Sequence, residues 1–458
     1  MLDIKGLKSG AVLQRDQNDF CKITISASFS GEPKASMGKL THIEENQWEL
    51  SGIYLGGPYT LVIEDGCDSA TFTDLYVGDL WLLAGQSNME GAGRMTPEDE
   101  FEAQNLVPFI RAFYMDDTWD SAKPMLHQLS FSKDPSHKKS WSDGLKSLEE
   151  RGIDVFDNPP YSFKRKVGPG YYFAKEMFVL TDGVPQGVIP AAVGGAAIEA
   201  WLPSGENNHF TAAMRRIEET GSSIKGVFWA QGEGNTEPEV YPSQIERIRK
   251  ALCEKTGRSV MPFVQLQSFK CTLAIGDPNA DRVWSRFREM QRKMPENAQA
   301  LCTVATNDLS LEDCIHLSSD SQKTAGVRGA RAMHYLVSGC GFAEPTIDKI
   351  YLRGTRYIPN FSTDIHIRYK NISGALRSKG VPSGFTLRQK DEIRPTEKMF
   401  RKISLCQNEV IISVEIPTEK LKECELWYGF GNDFYCNITD GENRALPAMG
   451  PIPLLEEN

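Results

Sequence analysis

The sequence predicts an α/β fold, a parallel sheet with helices on both faces, flanked by N- and C-terminal β-rich domains. Three observations predict it. Five short, continuous apolar runs lie between residues 80 and 305, helix-like stretches separate them, and alternating segments dominate the chain on either side. Continuous apolar runs mark strands buried on both faces, and intervening helices are the crossovers that parallel strands need.

The elements follow in chain order. Up to about Asp74 the chain alternates, as in Cys21-Lys22-Ile23-Thr24-Ile25-Ser26-Ala27 and Tyr59-Thr60-Leu61-Val62-Ile63, with Gly31-Glu32-Pro33 and Leu55-Gly56-Gly57-Pro58 as turns. This predicts a small β-sandwich over residues 1–74. The predicted α/β domain covers 75–345. Its strands are Leu80–Ala84, Gly187–Val193, Gly226–Ala230, Met261–Leu266 and Ala300–Ala305, and its helices are Tyr171–Leu180, Tyr241–Glu254, Val283–Lys293 and Gln322–Leu336. Residues 94–166 fit neither pattern and read as a long excursion, the kind of segment that shapes a substrate site. From about Thr346 alternation returns in Ile365–Tyr369, Val410–Val414 and Leu426–Phe430, which predicts a third, β-rich domain over 346–458.

Composition narrows the function. Over 458 residues the chain is 40% hydrophobic and 24% charged, the balance of a soluble globular protein. A net charge of −10 argues against nucleic acid or an anionic membrane as partner and says little about a neutral sugar. No window is apolar enough for a transmembrane helix, and Met1-Leu2-Asp3-Ile4-Lys5-Gly6 lacks a signal-peptide layout. The expectation is a cytoplasmic protein, with a removed leader as the alternative. Ten cysteines without a Cys-x-x-Cys pair are expected to be mostly reduced core thiols.

Four segments at the ends of predicted strands carry residues suited to chemistry. Gly85-Gln86-Ser87-Asn88-Met89 can present Ser87 at the tip of the sheet, because glycine permits a sharp turn; Met89 rules out a Gly-x-Ser-x-Gly elbow. Gly194-Gly195 can expose backbone N–H groups to an oxyanion, or simply form a tight turn. In Trp229-Ala230-Gln231-Gly232-Glu233 the Gln231 amide can donate to an oxyanion and Glu233 can orient a base; a polar loop is the alternative. In Asp313-Cys314-Ile315-His316 a carboxylate three residues from an imidazole can fix its tautomer, although single histidines are more often structural. Jointly the four supply nucleophile, oxyanion donors, base and orienting carboxylate.

In this order, Gly-Gln-Ser-Asn-Met, Gly-Gly, Trp-x-Gln-Gly-Glu and Asp-x-x-His resemble the blocks of the SGNH hydrolase superfamily, in the variant of sialate O-acetylesterases and related carbohydrate acetylesterases. Val12-Leu13-Gln14-Arg15, Val167–Ala174, Ile198–Trp201 and Trp427–Asn432 are similar to further parts of that family, so the likeness covers most of the chain except 94–166. The resemblance implies a flavodoxin-like core and a carbohydrate O-acetylesterase. In it Ser87 attacks, His316 is the base and Asp313 orients His316, with Glu233 as the second candidate. The Ser87 and Gly195 N–H groups with the Gln231 amide hold the oxyanion, and Gly194 replaces Gly195 if the turn is offset. No cofactor or metal is implied. The implied partner is an acetylated mono- or oligosaccharide, and Arg94 and Arg165 are candidate contacts to a sugar carboxylate. Sialic acid, xylan- or pectin-derived oligosaccharides, a non-catalytic carbohydrate-binding role and a homo-oligomer all stay open. Ala196 and Gly234 depart from the residues usual at those places in relatives.

Overall fold

The computed structural model describes residues 2–150, 166–235, 239–274, 277–354, 362–389 and 400–454. They fall into two units, one of Met1–Gly234, Ser243–Val264 and His316–Met333, the other of Asn235–Pro242, Gln265–Ile315 and His334–Asn458.

The first unit is built on a long strand. Strand β1 (Val12–Gln14) pairs in parallel with β2 (Ser69–Gly85), which runs unbroken from the N-terminal β segment into the core and so crosses the expected boundary at 74/75. Its pattern explains this double life: the residues up to Asp74 alternate toward solvent, while Leu75 to Gly85 are all buried. The sheet continues with β3 (Ile110–Phe113), β4 (Trp119–Ser121), β5 (Gln186–Pro190), β6 (Gly226–Ala230) and β7 (Phe263–Leu266), in the order β4-β3-β5-β2-β6-β7. The pairs β3–β5, β5–β2 and β2–β6 are parallel. Taking β2, β5, β6 and β7 as core strands gives the 2-1-3-4 start of the flavodoxin-like order, as the sequence led us to expect. Before β2, Phe20–Ser26, Lys39–Glu44 and Gln47–Tyr54 form a separate antiparallel sheet.

The excursion at 94–166 is not merely loop. Strands β3 and β4 extend the edge of the central sheet, and Pro97–Gln104 and Pro135–Glu150 are helical. The edge is held by Arg216, which is fully buried and donates to the carbonyls of Pro190, Phe113 and Tyr114 and to Asp117. Its neighbour Arg215 binds Asp117 and Asp134. Without Arg216 the buried Pro190 and Phe113 carbonyls would lose their donor, and buried acceptors must be paired.

In the second unit, Gln267 N–H donates to the Val304 carbonyl at the end of strand Leu301–Val304. Helix Pro278–Asn297 carries buried Arg288, whose guanidinium donates to the carbonyls of Phe269, Gly429 and Gly431. The C-terminal segment forms a four-stranded antiparallel sheet (Thr346–Gly354, Thr363–Lys370, Glu409–Val414, Phe400–Cys406) and a three-stranded one (Phe385–Gln389, Cys424–Tyr428, Met449–Pro453). Ile365, Ile367, Tyr369, Leu387, Val410, Ile412 and Leu426 fill the core between them. No disulfide joins any of the ten cysteines, but only Cys21, Cys271, Cys424 and Cys436 are buried. The expectation of mostly core thiols is corrected, since Cys67, Cys340 and Cys406 lie in turns or on an edge strand exposed to solvent. Among the described residues no helix is long and apolar enough to cross a membrane.

Candidate functional site

The chain reverses abruptly after β2. Gly85 has φ +126°, and a Cβ there would lie 2.1 Å from the Ala230 carbonyl oxygen, so only glycine fits. Gln86 N–H then donates to that same carbonyl at 2.8 Å, and the single-turn helix α1 (Ser87–Glu90) follows. Ser87, half-buried, heads α1, while Asn88, Met89 and Glu90 are buried beneath it. As the first residue of a helix, Ser87 has a backbone N–H outside the helical ladder.

The glycine turn lies beside this helix. Past β5, Val193 N–H donates to the Gly85 carbonyl at 3.2 Å, and Ala196 N–H closes the turn on Val193. Gly194 N–H donates to Glu90 Oε2 at 2.5 Å. A Cβ on Gly194 would lie 3.0 Å from that oxygen and 3.8 Å from Ser87 Cβ, which measures how closely the turn approaches Ser87. Gly195, exposed, takes φ +71° with open space where a side chain would be.

Past β6, the buried Gln231 donates through Nε2 to the Ala196 carbonyl at 3.3 Å, tying its amide to the residue after the glycine pair. Glu233 Oε1 accepts from Asn88 Nδ2 at 3.0 Å. Asn88 Oδ1 in turn accepts the Leu317 N–H at 3.0 Å, next to His316. Asn88 thus joins the serine helix, the Gln-Gly-Glu loop and the histidine loop. Gly234 N–H donates to Gln86 Oε1 at 3.2 Å, and an added Cβ there would make only ordinary contact. Neither departure from the family pattern therefore disturbs this framework: the Ala196 contact uses its backbone carbonyl, and Gly234 is exposed.

Two carboxylates face His316. Burial pushes Glu90 above the usual carboxylate range, opposed by the positive charge of Lys166, by the Gly194 N–H and by His316. Burial likewise pushes Glu233 up, opposed by its own backbone N–H, by Asn88 and by His316. In both, specific donors and the imidazole offset part of what burial costs the charged form.

Of the residues singled out by sequence, Ser87, Gly194, Gly195, Gln231, Glu233 and His316 fall in the first unit. Asp313 falls in the second, exposed, with Oδ1 accepting the Ile315 N–H at 2.9 Å. Arg94 is exposed and pairs its backbone with Lys166 in a short antiparallel ribbon. Arg165 lies outside the described residues. Sequence reading missed Asn88, which sits within the motif it quoted, and Glu90, which follows that motif directly; a polar and an acidic residue in a tight turn were the available signal. It also missed His127, buried against the Leu83 and Glu90 carbonyls, for which no local signal exists. Among the described residues no group of three or more His, Cys, Asp or Glu could hold a metal ion.

Comparison with known proteins adds the following. Residues 77–335 match the family described as carbohydrate esterase, sialic acid-specific acetylesterase. A probable carbohydrate esterase of Arabidopsis thaliana is 29% identical over 183 residues, covering 38% of this chain and 65% of that one, so the match spans just under two thirds of that relative. Human sialate O-acetylesterase is 23% identical over 386 residues, covering 74% of this chain and 71% of that one. The crystal structure of a carbohydrate acetylesterase from Xanthomonas citri superposes with a TM-score of 0.72 at 20% identity, over 98% of this chain and 99% of that one.

Proposed function

This chain belongs to the carbohydrate esterase family of sialic acid-specific acetylesterases, and we propose that it hydrolyses O-acetyl esters of sugars with Ser87 as nucleophile. The observation that carries the proposal is the convergence on Ser87. Its one-turn helix is bonded to the glycine turn through Glu90, to the Gln-Gly-Glu loop through Asn88, and through Asn88 again to the backbone beside His316. Loops far apart in sequence are fixed to the one serine.

In this mechanism Ser87 Oγ attacks the acetyl carbonyl carbon and passes its proton to His316. The tetrahedral oxyanion is held by the N–H groups of Ser87 and Gly195, with Gln231 at the third side. Gly195 is preferred to Gly194 because the Gly194 N–H is committed to Glu90. Collapse breaks the bond to the sugar oxygen, which leaves with the proton from His316. A water then gives its proton to His316 and its hydroxyl to the acetyl carbon, and acetate departs as Ser87 is regenerated. Asp313 is assigned to orient His316, and Glu233 to hold the loop through Asn88 while adding negative charge near the imidazolium.

The substrate class is an acetylated mono- or oligosaccharide. Acetylated sialic acid is the first candidate, supported by the family; xylan- or pectin-derived oligosaccharides are the second. The test is acetate release from acetylated sialic acids, xylo-oligosaccharides and simple hexoses, with 4-nitrophenyl acetate as a reporter, by wild type and Ser87→Ala. Loss of all turnover in Ser87→Ala is expected. Equal rates for both would reject the serine mechanism, and no acetate release by wild type above the uncatalysed rate would favour a carbohydrate-binding role without catalysis.

A further inference from the structure

We propose that Glu90 is a positioning residue for the reaction: its carboxylate fixes the glycine turn so that the Gly195 N–H faces the oxyanion, and places negative charge opposite His316. The inference rests on the serine-esterase reading above and assigns a role to a side chain which that reading does not otherwise need.

The geometry makes the case. Glu90 is only 8% exposed, directly under Ser87 in the same helical turn. A buried carboxylate is costly unless its charge is compensated, so one retained here calls for a reason. Oε2 accepts the Gly194 N–H at 2.5 Å, a short charge-assisted bond. That bond has two effects on a turn built of two glycines, which have little stiffness of their own. It removes Gly194 from competition as an oxyanion donor. It also anchors the peptide immediately before Gly195, whose φ of +71° turns the chain outward over open space. Without the anchor, the turn has no side chain of its own to set where the Gly195 N–H points.

The second half of the role is electrostatic. The charged groups whose fields bear on Glu90 are Lys166, on the ribbon beside Arg94, and His316. Glu90 and Glu233 both act on His316, and Asp313 lies three residues before it in sequence. When His316 takes the proton from Ser87 it becomes a cation, and a fixed negative charge at Glu90 stabilises that state. The positive charge of Lys166 helps keep Glu90 ionised for this purpose.

Two substitutions separate the effects. Glu90→Gln keeps an oxygen acceptor for Gly194 but removes the charge; Glu90→Ala removes both. Each is measured for kcat and KM on 4-nitrophenyl acetate and an acetylated sugar, for the pH profile of kcat/KM, and for thermal unfolding. The expected result for Glu90→Ala is a fall in kcat of about a hundredfold, the scale of losing one oxyanion donor, with KM changed much less. Glu90→Gln is expected to recover much of that kcat and to shift the acid limb of the profile to lower pH, because the imidazolium has lost a stabilising charge. Wild-type kinetics in both variants would overturn the proposal. So would two folded variants that lose the same activity with an unmoved acid limb, which is what a purely structural role predicts. If Glu90→Ala does not fold, the acid limb of Glu90→Gln decides alone. Ser87→Ala is run alongside: residual turnover there refutes the serine-esterase reading, whereas a dead Ser87→Ala with unaffected Glu90 variants refutes only the role of Glu90.

Discussion

Replacing Asn88 by alanine should damage catalysis more than its distance from any chemistry suggests. The side chain touches no reacting atom, yet it makes bonds in two directions, Nδ2 to Glu233 Oε1 and Oδ1 from the Leu317 N–H. Leu317 is only 1% exposed, so its N–H would be left without a partner at a cost of about 1–3 kcal/mol. Glu233 would lose a hydrogen bond to a charged group, about 1.5–3 kcal/mol, while burial already pushes it toward protonation. Together these reach about 2.5–6 kcal/mol if the loops stay in place, a cost that movement of the loops would relieve. The histidine loop is therefore expected to relax, and a displacement of about 1 Å at His316 costs about a hundredfold in kcat. The assay is steady-state hydrolysis of 4-nitrophenyl acetate beside a thermal melt. Asn88→Ala should lose about a hundredfold in kcat while its melting temperature falls by only a few degrees. Asn88→Asp should be no better, since it sets a second carboxylate against Glu233. A folded Asn88→Ala enzyme with wild-type kcat would refute the idea that this side chain holds the three loops together.

Other outcomes follow from the same structure. His316→Ala should cost orders of magnitude in kcat, and a few-fold loss would reject His316 as the base. Gly195→Ala meets no atom within 4 Å but must adopt φ +71°, at about 1–2 kcal/mol, so kcat should fall roughly tenfold with little loss of stability; unchanged kcat would remove Gly195 from the oxyanion site. Arg216→Met strands the buried Pro190 and Phe113 carbonyls and should destabilise the first unit by about 3 kcal/mol or more in urea unfolding; a change below about 1 kcal/mol would show that water replaces the guanidinium. Burial pushes His127 and His137 down to about 3 and His209 down to about 4. The unfolded chain takes up these protons below about pH 6.5 and the native state does not, so stability falls as pH falls between about 6.5 and 4. At pH 5 the loss is about 2 kcal/mol for each histidine that stays neutral, and a urea midpoint that holds or rises from pH 7 to pH 5 would contradict it.

Much of this was legible in the residues because the signals were local. The apolar runs at 226–230 and 263–266 are strands because burial on both faces demands continuous hydrophobicity, and the helices at 169–180 and 278–297 begin at prolines suited to a first turn. The candidate residues could be found because each follows a strand. What stayed hidden was tertiary. Ile110-Arg111-Ala112-Phe113 is too short and too mixed to reveal a strand, and only pairing with β5 makes it one. The bond from Glu90 to Gly194 joins positions 104 residues apart, beyond any local pattern. The same holds for Asn88, whose partners at Glu233 and Leu317 come from two later crossovers.

The central claim is a covalent one: an acetyl group passes through Ser87. Its most direct test is to mix the enzyme with 4-nitrophenyl acetate, quench in acid within the first turnover, digest, and weigh the peptides. The account predicts one acetylated site, Ser87, in the peptide containing Gly85-Gln86-Ser87-Asn88-Met89, appearing with the burst of nitrophenol and vanishing as turnover completes. Sustained hydrolysis with Ser87 unmodified at every time point, or the acetyl group on another residue, would contradict it.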